Sequence, residues 1–73
     1  PMPTTATYAV SGMSCQHCVN AVTEEVTKVA GVTAVHVDLG AGTVAVSSDA
    51  PLDRELVRAA VDEAGYELAP PED

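Results

Sequence analysis

The chain has 73 residues, which is enough for one small domain and too few for a second. Its 11 acidic residues outnumber its 3 basic residues, and the net charge of −8 excludes nucleic acid and anionic membrane surfaces as partners, because both require a basic patch. Apolar residues form 47% of the chain, so it is expected to fold, with an acidic and solvated surface. Docking to a partner with a basic face is the alternative interpretation of that charge.

The first predicted elements are a strand and a helix. Alternating side chains predict a strand over Thr4–Ser11, followed by a loop over residues 12–15 in which Ser14 is the expected helix cap. Valines at helical spacing predict a helix over residues 16–29, which Gly31 ends. The buried face of this helix is expected to carry Val19, Val22, Val26 and Val29.

A β-hairpin is predicted next. Residues 32–39 and 43–47 alternate between apolar and polar side chains around a tight turn at residues 40–42. The side chains expected to face inward are Val35, Val37, Leu39, Val44 and Val46. His36 and Asp38 are expected to face outward, and His36 is interpreted as plain surface.

A second helix is predicted after Asp53, which is a good N-cap, and it runs to about Ala64, where Gly65 ends it. Its apolar side is expected to carry Leu56, Val57, Ala60, Val61 and Ala64. A hydrophobic staple is expected between Leu52 and Val57. Residues 66–68 predict a short last strand, and residues 70–73 predict a frayed acidic tail.

The element order βαββαβ predicts an α+β fold with the ferredoxin-like arrangement. Right-handed crossovers would make a four-stranded antiparallel sheet with both helices on one face. We expect a single domain over residues 1–73, ordered over about residues 4–69. Met2 predicts a native start preceded by one extra residue, Pro1, and hence a complete, free-standing protein. No secretory signal or membrane span is visible, and two close free cysteines fit the reducing cytosol, so a cytoplasmic location is expected.

Both cysteines of the chain lie in one short motif just before the first helix. Cys15 and Cys18 are separated by two residues, so they cannot join distant elements as a disulfide framework. The positive end of the helix favours their thiolate forms. Two soft thiolates without a third or fourth cysteine point first to Cu(I), whereas Zn(II) prefers four ligands. We expect Cys15 to be the more exposed thiol and Cys18 to lie in the first helical turn.

The cysteine loop and the element order together resemble the heavy-metal-associated domain family. The family signature is Gly-Met-x-Cys-x-x-Cys in the loop between the first strand and the first helix. In this chain the signature is supplied by Gly12, Met13, Cys15 and Cys18. The resemblance extends from the first strand to Leu68. The Cys-Gln-His-Cys version of the motif and the late Gly65-Tyr66 pair are most similar to bacterial CopZ-type copper chaperones.

The resemblance implies a copper chaperone that binds Cu(I) through Cys15 and Cys18 and catalyses no reaction. It also implies transfer of the copper to the amino-terminal domains of a copper-exporting P-type ATPase, with a copper-sensing repressor as a further recipient. The metal is expected to move by exchange of thiolate ligands. The metal-free protein is expected to be a monomer, and a copper-bridged dimer is an open alternative for the loaded protein.

Three neighbours of the cysteines are candidate supporting residues. Met13 is a copper ligand by type, but it is expected to turn inward and anchor the loop to the core. Tyr66 lies close to the cysteine loop in the family's fold, where contact with the metal site and simple core packing are both open. His17 is expected to be an exposed polar residue, with a role in thiol ionisation or in copper shared between two molecules as the alternative.

Other functions stay open at this point. The same fold could be a binding module for Hg(II) or Zn(II), or one domain excised from a copper ATPase. A thiol–disulfide oxidoreductase is the alternative from a different class, although its usual setting is a parallel βαβ unit. Neighbouring carboxylates such as Asp62 and Glu63 do not converge on one point of a helix, so no catalytic acid pair is predicted.

Overall fold

The computed structural model describes residues 3–70. Over these residues the elements follow the predicted order: β1 Thr4–Ser11, α1 Gln16–Thr27, β2 Val32–Asp38, β3 Thr43–Ser48, α2 Arg54–Glu63 and β4 Glu67–Leu68. The predicted start at Met2 and the predicted tail beyond Pro70 lie outside the described residues. Neither α1 nor α2 is long and apolar enough to cross a membrane.

The strands form one antiparallel sheet in the order β2-β3-β1-β4, which confirms the predicted ferredoxin-like arrangement. β1 pairs with β3 along most of its length, from Thr4 opposite Ser48 to Ala9 opposite Thr43. One face of the sheet packs with residues of both helices in a single core, while alternate strand residues are more exposed. Both helices therefore cover the same face.

Several segments of the chain meet at one end of this sheet. The turn between β2 and β3 reaches the end of β1, where the Val10 amide donates to the Gly42 carbonyl at 2.8 Å. Ser11, the last residue of β1, pairs with Glu67, the first residue of β4. The loop after β1, the end of α2 and the start of β4 are therefore neighbours, and the cysteines lie at this end.

The core is built largely from valine. Its fully buried members are Val22, Val26, Val44, Val46, Val57 and Val61, and the cluster is completed by Val10, Ala60 and Leu68. Valine loses side-chain freedom in a helix, so its helix propensity is low. α1, whose buried face is mainly valine, therefore depends on packing against the sheet for its stability.

The prediction is wrong for two leucines that were expected to face the core. β2 ends one residue earlier than expected, so Leu39 lies in the following turn and is 36% exposed. Leu56 is 49% exposed, because Val57 and Val61 form the buried stripe of α2 and Leu56 lies beside that stripe. Leu52, in contrast, packs against the core cluster that contains Val57, as expected for the staple.

The helix ends are set by hydrogen bonds at their termini. The Asp53 carboxylate accepts a hydrogen bond from the Glu55 amide at 2.9 Å, so the predicted cap of α2 is confirmed. α1 ends two residues earlier than predicted because its last turn tightens, with the Val29 amide donating to the Val26 carbonyl at 3.1 Å. Gly31, with φ +91°, then turns the chain into β2.

Candidate metal centre

The two cysteines lie side by side at the start of α1. The sulfur atoms of Cys15 and Cys18 are 3.5 Å apart, and both thiols are free. Cys15 immediately precedes the helix and is exposed, whereas Cys18 lies in its first turn and is only 5% exposed. The predicted difference in exposure is confirmed, and the role of the pair in binding metal stays a prediction.

The start of α1 is capped differently from the prediction. The expected Ser14 cap is wrong, because the N-cap position is Cys15, which has an extended backbone and makes no side-chain capping bond. The amide of Ser14 instead donates to the sulfur of Cys18 at 3.5 Å, and the amide of Cys18 donates to the Cys15 carbonyl at 3.0 Å. A backbone donor and the positive end of the helix therefore both favour negative charge on the Cys18 sulfur.

Hydrogen bonding lowers the pKa of the Cys18 thiol to about 6. The largest cause is the hydrogen bond from the Tyr66 hydroxyl, followed by the Ser14 amide, while burial opposes the shift. The same contact with Cys18 is the first cause that raises the pKa of Tyr66, because the protonated phenol is the donor. At neutral pH Cys18 is therefore mostly thiolate, which is the form that binds a soft metal ion.

Tyr66 also packs against the loop that leads to the cysteines. Gly12 has φ +95°, and a Cβ atom added to it would lie 3.4 Å from Cδ1 of Tyr66. The positive φ is the conformation that favours glycine at this position, and the loop here lies in contact with the Tyr66 ring. Tyr66 packs against the core and also lowers the pKa of Cys18, and its role at a bound metal stays a prediction.

The other candidate residues divide into inward and outward groups. Met13 is partly buried and packs against the core cluster, as predicted for an anchor of the loop. His17 is exposed in the first turn of α1. His36 is exposed on β2, opposite Ala45 of β3, as predicted for a surface residue. The structure thus brings Met13 and Tyr66 to the cysteine loop and leaves His36 on the sheet.

The cysteines offer a set of two ligands. In the part of the chain from residue 3 to residue 70, no group of three or more His, Cys, Asp or Glu side chains could hold a metal ion. Structural Zn(II) sites have four ligands, whereas a pair of soft thiolates suits Cu(I). The exposure of Cys15 leaves one side of the pair open to a ligand from another molecule.

A cleft opens beside the cysteine loop, between the end of α2 and β4. Its volume is about 620 Å³, Gly12 and Tyr66 line its loop side, and its charged lining residues are Arg58, Asp62 and Glu67. The sequence carries no signal for this cleft, because it exists only where α2 packs beside β4. Sequence reasoning interpreted Asp62 as ordinary solvated charge and did not select Arg58 or Glu67.

The basic side chains of the described residues are all engaged with groups of their own chain. Lys28 pairs with Glu25 at 3.1 Å, and Nε of Arg58 lies 2.8 Å from each carboxylate oxygen of Glu55. Arg54 donates to a backbone carbonyl just after β4 and lies over a tyrosine ring. The surface charge that remains without an opposite partner is therefore negative.

Comparison with known proteins shows which family this chain matches. A family model described as the heavy-metal-associated domain matches residues 7–67. The copper chaperone CopZ of Bacillus subtilis (strain 168) is 48% identical over 64 residues, which cover 86% of this chain and 93% of that protein.

Solved structures show the same architecture. A structure titled CopZ metallochaperone superposes with a TM-score of 0.84 at 31% sequence identity, covering 90% of this chain and 100% of the other. The Cu(I)-loaded N-terminal domain of a potential copper-translocating P-type ATPase from Bacillus subtilis superposes with a TM-score of 0.82 at 29% identity, covering 92% of this chain and 85% of that domain's chain.

Proposed function

This chain belongs to the heavy-metal-associated domain family, and from that membership we propose that it is a copper chaperone which binds Cu(I) through Cys15 and Cys18 and catalyses no reaction. The observation that carries the proposal is the pair of free sulfur atoms 3.5 Å apart, one exposed and one buried. The 48% identity to a copper chaperone over most of the chain supports copper as the metal.

The two thiolates have different roles in binding copper. Cys18 is the anchored ligand, because the Tyr66 hydroxyl and the Ser14 amide hold its sulfur and keep it ionised above about pH 6. Cys15 is the exposed ligand and completes the pair. Binding releases the protons that remain on the thiols, so acid competes with copper for both sulfur atoms.

Transfer proceeds by exchange of ligands at the exposed side. A thiolate of the acceptor bonds to the copper ion, the bond between copper and Cys15 breaks, and a second acceptor thiolate then replaces Cys18. Each bond that breaks is matched by one that forms, so Cu(I) moves without a change of oxidation state and without release into water. The exposure of Cys15 and the burial of Cys18 support this order.

The recipients we propose are the amino-terminal domains of a copper-exporting P-type ATPase. The Cu(I)-loaded N-terminal domain of a potential copper-translocating P-type ATPase has the same fold as this chain, which supports this proposal. A copper-sensing repressor stays a further predicted recipient, and a copper-bridged dimer stays a prediction for the loaded protein. We place the protein in the cytoplasm, where free thiols such as Cys15 and Cys18 stay reduced.

The test is an anaerobic titration of the reduced protein with Cu(I) against a chromogenic chelator, run in parallel with Zn(II) and Hg(II). We expect Cu(I) to bind far more tightly than Zn(II), and either Cys15→Ser or Cys18→Ser to abolish the tight binding. His36→Gln is the matched control and should leave the Cu(I) affinity unchanged. His36 is exposed and lies outside the site, and histidine is a residue type that can bind metal ions. Copper binding that survives loss of either thiol would overturn the proposal.

The alternative functions predict different assay results for the same protein samples. A binding module for Zn(II) would bind Zn(II) as tightly as Cu(I) in the chelator titration. A thiol–disulfide oxidoreductase would reduce a disulfide substrate catalytically without metal. The close approach of the sulfur atoms, at 3.5 Å, is compatible with a disulfide, so turnover in that assay is the result that would favour the enzyme.

A further inference from the structure

We propose that the cleft between α2 and β4 receives a lysine or arginine side chain of the copper acceptor, held by Asp62 and Glu67 while the metal is exchanged at Cys15. This inference rests on the copper-transfer function proposed above, and it adds the chemistry of the partner's docking surface. It follows from the position of the cleft, from its charge and from the charge of the whole chain.

The cleft lies beside the cysteine loop, so a partner that takes the metal from Cys15 would also cover the cleft. Gly12 and Tyr66 form one wall of the cleft, and the same two residues contact each other beside the cysteine loop. Tyr66 also bonds to Cys18. An acceptor whose thiolates reach the exposed sulfur of Cys15 therefore extends over neighbouring surface at the same end of the molecule, where the cleft opens.

The charge of the cleft is negative despite the arginine in its lining. Nε of Arg58 lies 2.8 Å from both carboxylate oxygens of Glu55, one helical turn before it, and Asp62 also acts on this guanidinium, so one cation is shared among several carboxylates. Over residues 3–70 the salt bridges are Lys28 with Glu25 and Arg58 with Glu55. Asp62 and Glu67 are exposed and take part in neither of these two salt bridges, and together they outnumber the one cation that lines the cleft.

The open volume of about 620 Å³ is the second feature of the cleft that matters. A long basic side chain can enter such a space and place its charged end between the carboxylates, while its methylene groups lie along Tyr66. A second copy of this chain is a poor occupant, because each copy carries a net charge of −8 and the copies repel one another. Complementary charge at an interface acts mainly on the rate of association and on partner choice.

The experiment measures Cu(I) transfer from the loaded protein to two synthetic acceptor peptides. Both peptides carry one Cys-x-x-Cys pair and a fluorophore that bound copper quenches, and they differ only in having lysines or glutamines beside the cysteines. The cleft variant is Asp62→Asn with Glu67→Gln. The matched control is Asp49→Asn with Glu24→Gln, which removes the same charge from exposed positions that do not line the cleft.

We expect the unmodified protein to transfer copper faster to the lysine peptide than to the glutamine peptide. The cleft variant should lose about 3- to 10-fold of the transfer rate to the lysine peptide at low salt, and the control variant less than about 2-fold. Salt above about 0.1 M should reduce the advantage of the lysine peptide, because it screens the exposed carboxylates.

Two results would overturn the inference. Equal losses in the cleft and control variants would assign the preference to the overall negative field, and no loss in either would remove electrostatic docking altogether. Cu(I) affinity, measured separately by chelator competition, distinguishes these results from failure of the proposed function. Unchanged affinity with no cleft effect overturns the cleft alone, whereas absence of thiol-dependent Cu(I) binding in the unmodified protein overturns both proposals.

Discussion

The side chain of Tyr66, which follows α2, lies beside the Cys18 thiol in the first turn of α1. Its hydroxyl group is the largest cause of the low pKa of Cys18, which is about 6. A residue that precedes the last strand therefore controls the ionisation of a thiol near the first strand. The packing of the fold and the chemistry of the cysteine pair are connected through this one contact.

Replacing Tyr66 with phenylalanine should raise the pKa of Cys18. The change removes the hydroxyl donor and keeps the ring that packs against Gly12. Because this hydroxyl is the largest cause of the lowered pKa, its removal should move the pKa of Cys18 from about 6 back toward the ordinary value of 9.0. The ultraviolet absorbance of the thiolate, followed against pH in the reduced, metal-free protein, measures it. Tyr8→Phe is the control, and an equal pKa in both variants would contradict the assigned hydrogen bond.

The stability of the metal-free protein should rise with pH between about 6 and 9. The pKa of Cys18 is about 6 in the folded protein, against an ordinary value of 9.0, so the unfolded chain binds more protons in this range. The stabilisation is present in full above the unfolded pKa and is lost as the pH falls through the folded pKa. Urea unfolding of the reduced protein at several pH values measures this dependence.

The control for this pH dependence is a comparison of the two cysteines. Cys18→Ser should flatten the rise in the free energy of unfolding, because the serine hydroxyl does not ionise in this range. Cys15→Ser should retain most of the rise, because Cys15 is only a minor cause of the shift at Cys18. Equal slopes in the two variants would show that another group carries the pH dependence.

Gly12→Ala should destabilise the fold and disturb the site. The backbone at Gly12 has φ +95°, which an alanine adopts only with strain, and the new Cβ would lie 3.4 Å from the Tyr66 ring. We expect a loss of about 1–2 kcal/mol in the free energy of unfolding, together with a higher pKa of Cys18 if the ring is displaced.

Gly40→Ala is the matched control for Gly12→Ala. Gly40 has no positive φ, and its added Cβ would make an ordinary contact at 3.5 Å with Oδ1 of Asp38. Its effect on stability should stay within about 0.5 kcal/mol. Urea unfolding of both variants measures the difference, and similar losses at the two glycines would refute the conformational argument for Gly12.

Burial should matter more than side-chain size on α2. Val57 is fully buried, so Val57→Ala should cost about 2 kcal/mol from lost apolar burial and the cavity that remains. Leu56 is the larger side chain but is 49% exposed, so Leu56→Ala should cost no more than about 1 kcal/mol. Thermal or urea unfolding ranks the two variants. The opposite ranking would mean that Leu56 belongs to the core.

The errors in the sequence-based predictions have a common physical origin. Leu39 and Leu56 continue an apolar pattern, but the pattern does not show where a strand ends or how wide the packed stripe of a helix is. Ser14 is a good cap by residue type, yet its amide donates to the Cys18 sulfur and Cys15 takes the N-cap position. Packing in the fold decides the positions of the two leucines, and a bond four residues along the chain decides the cap, between local possibilities that the sequence leaves nearly equal.

The order of the elements, the turn at Gly12 and the position of both thiols at a helix start were determined by the sequence itself, because they follow from local periodicity, backbone conformation and residue spacing. Only the tertiary structure decided that Tyr66 meets Cys18 and that Asp62 and Glu67 share a cleft beside them. Those residues are far apart in the chain, so their contacts depend on how α2 and β4 pack beside the cysteine loop, and no local pattern encodes that geometry.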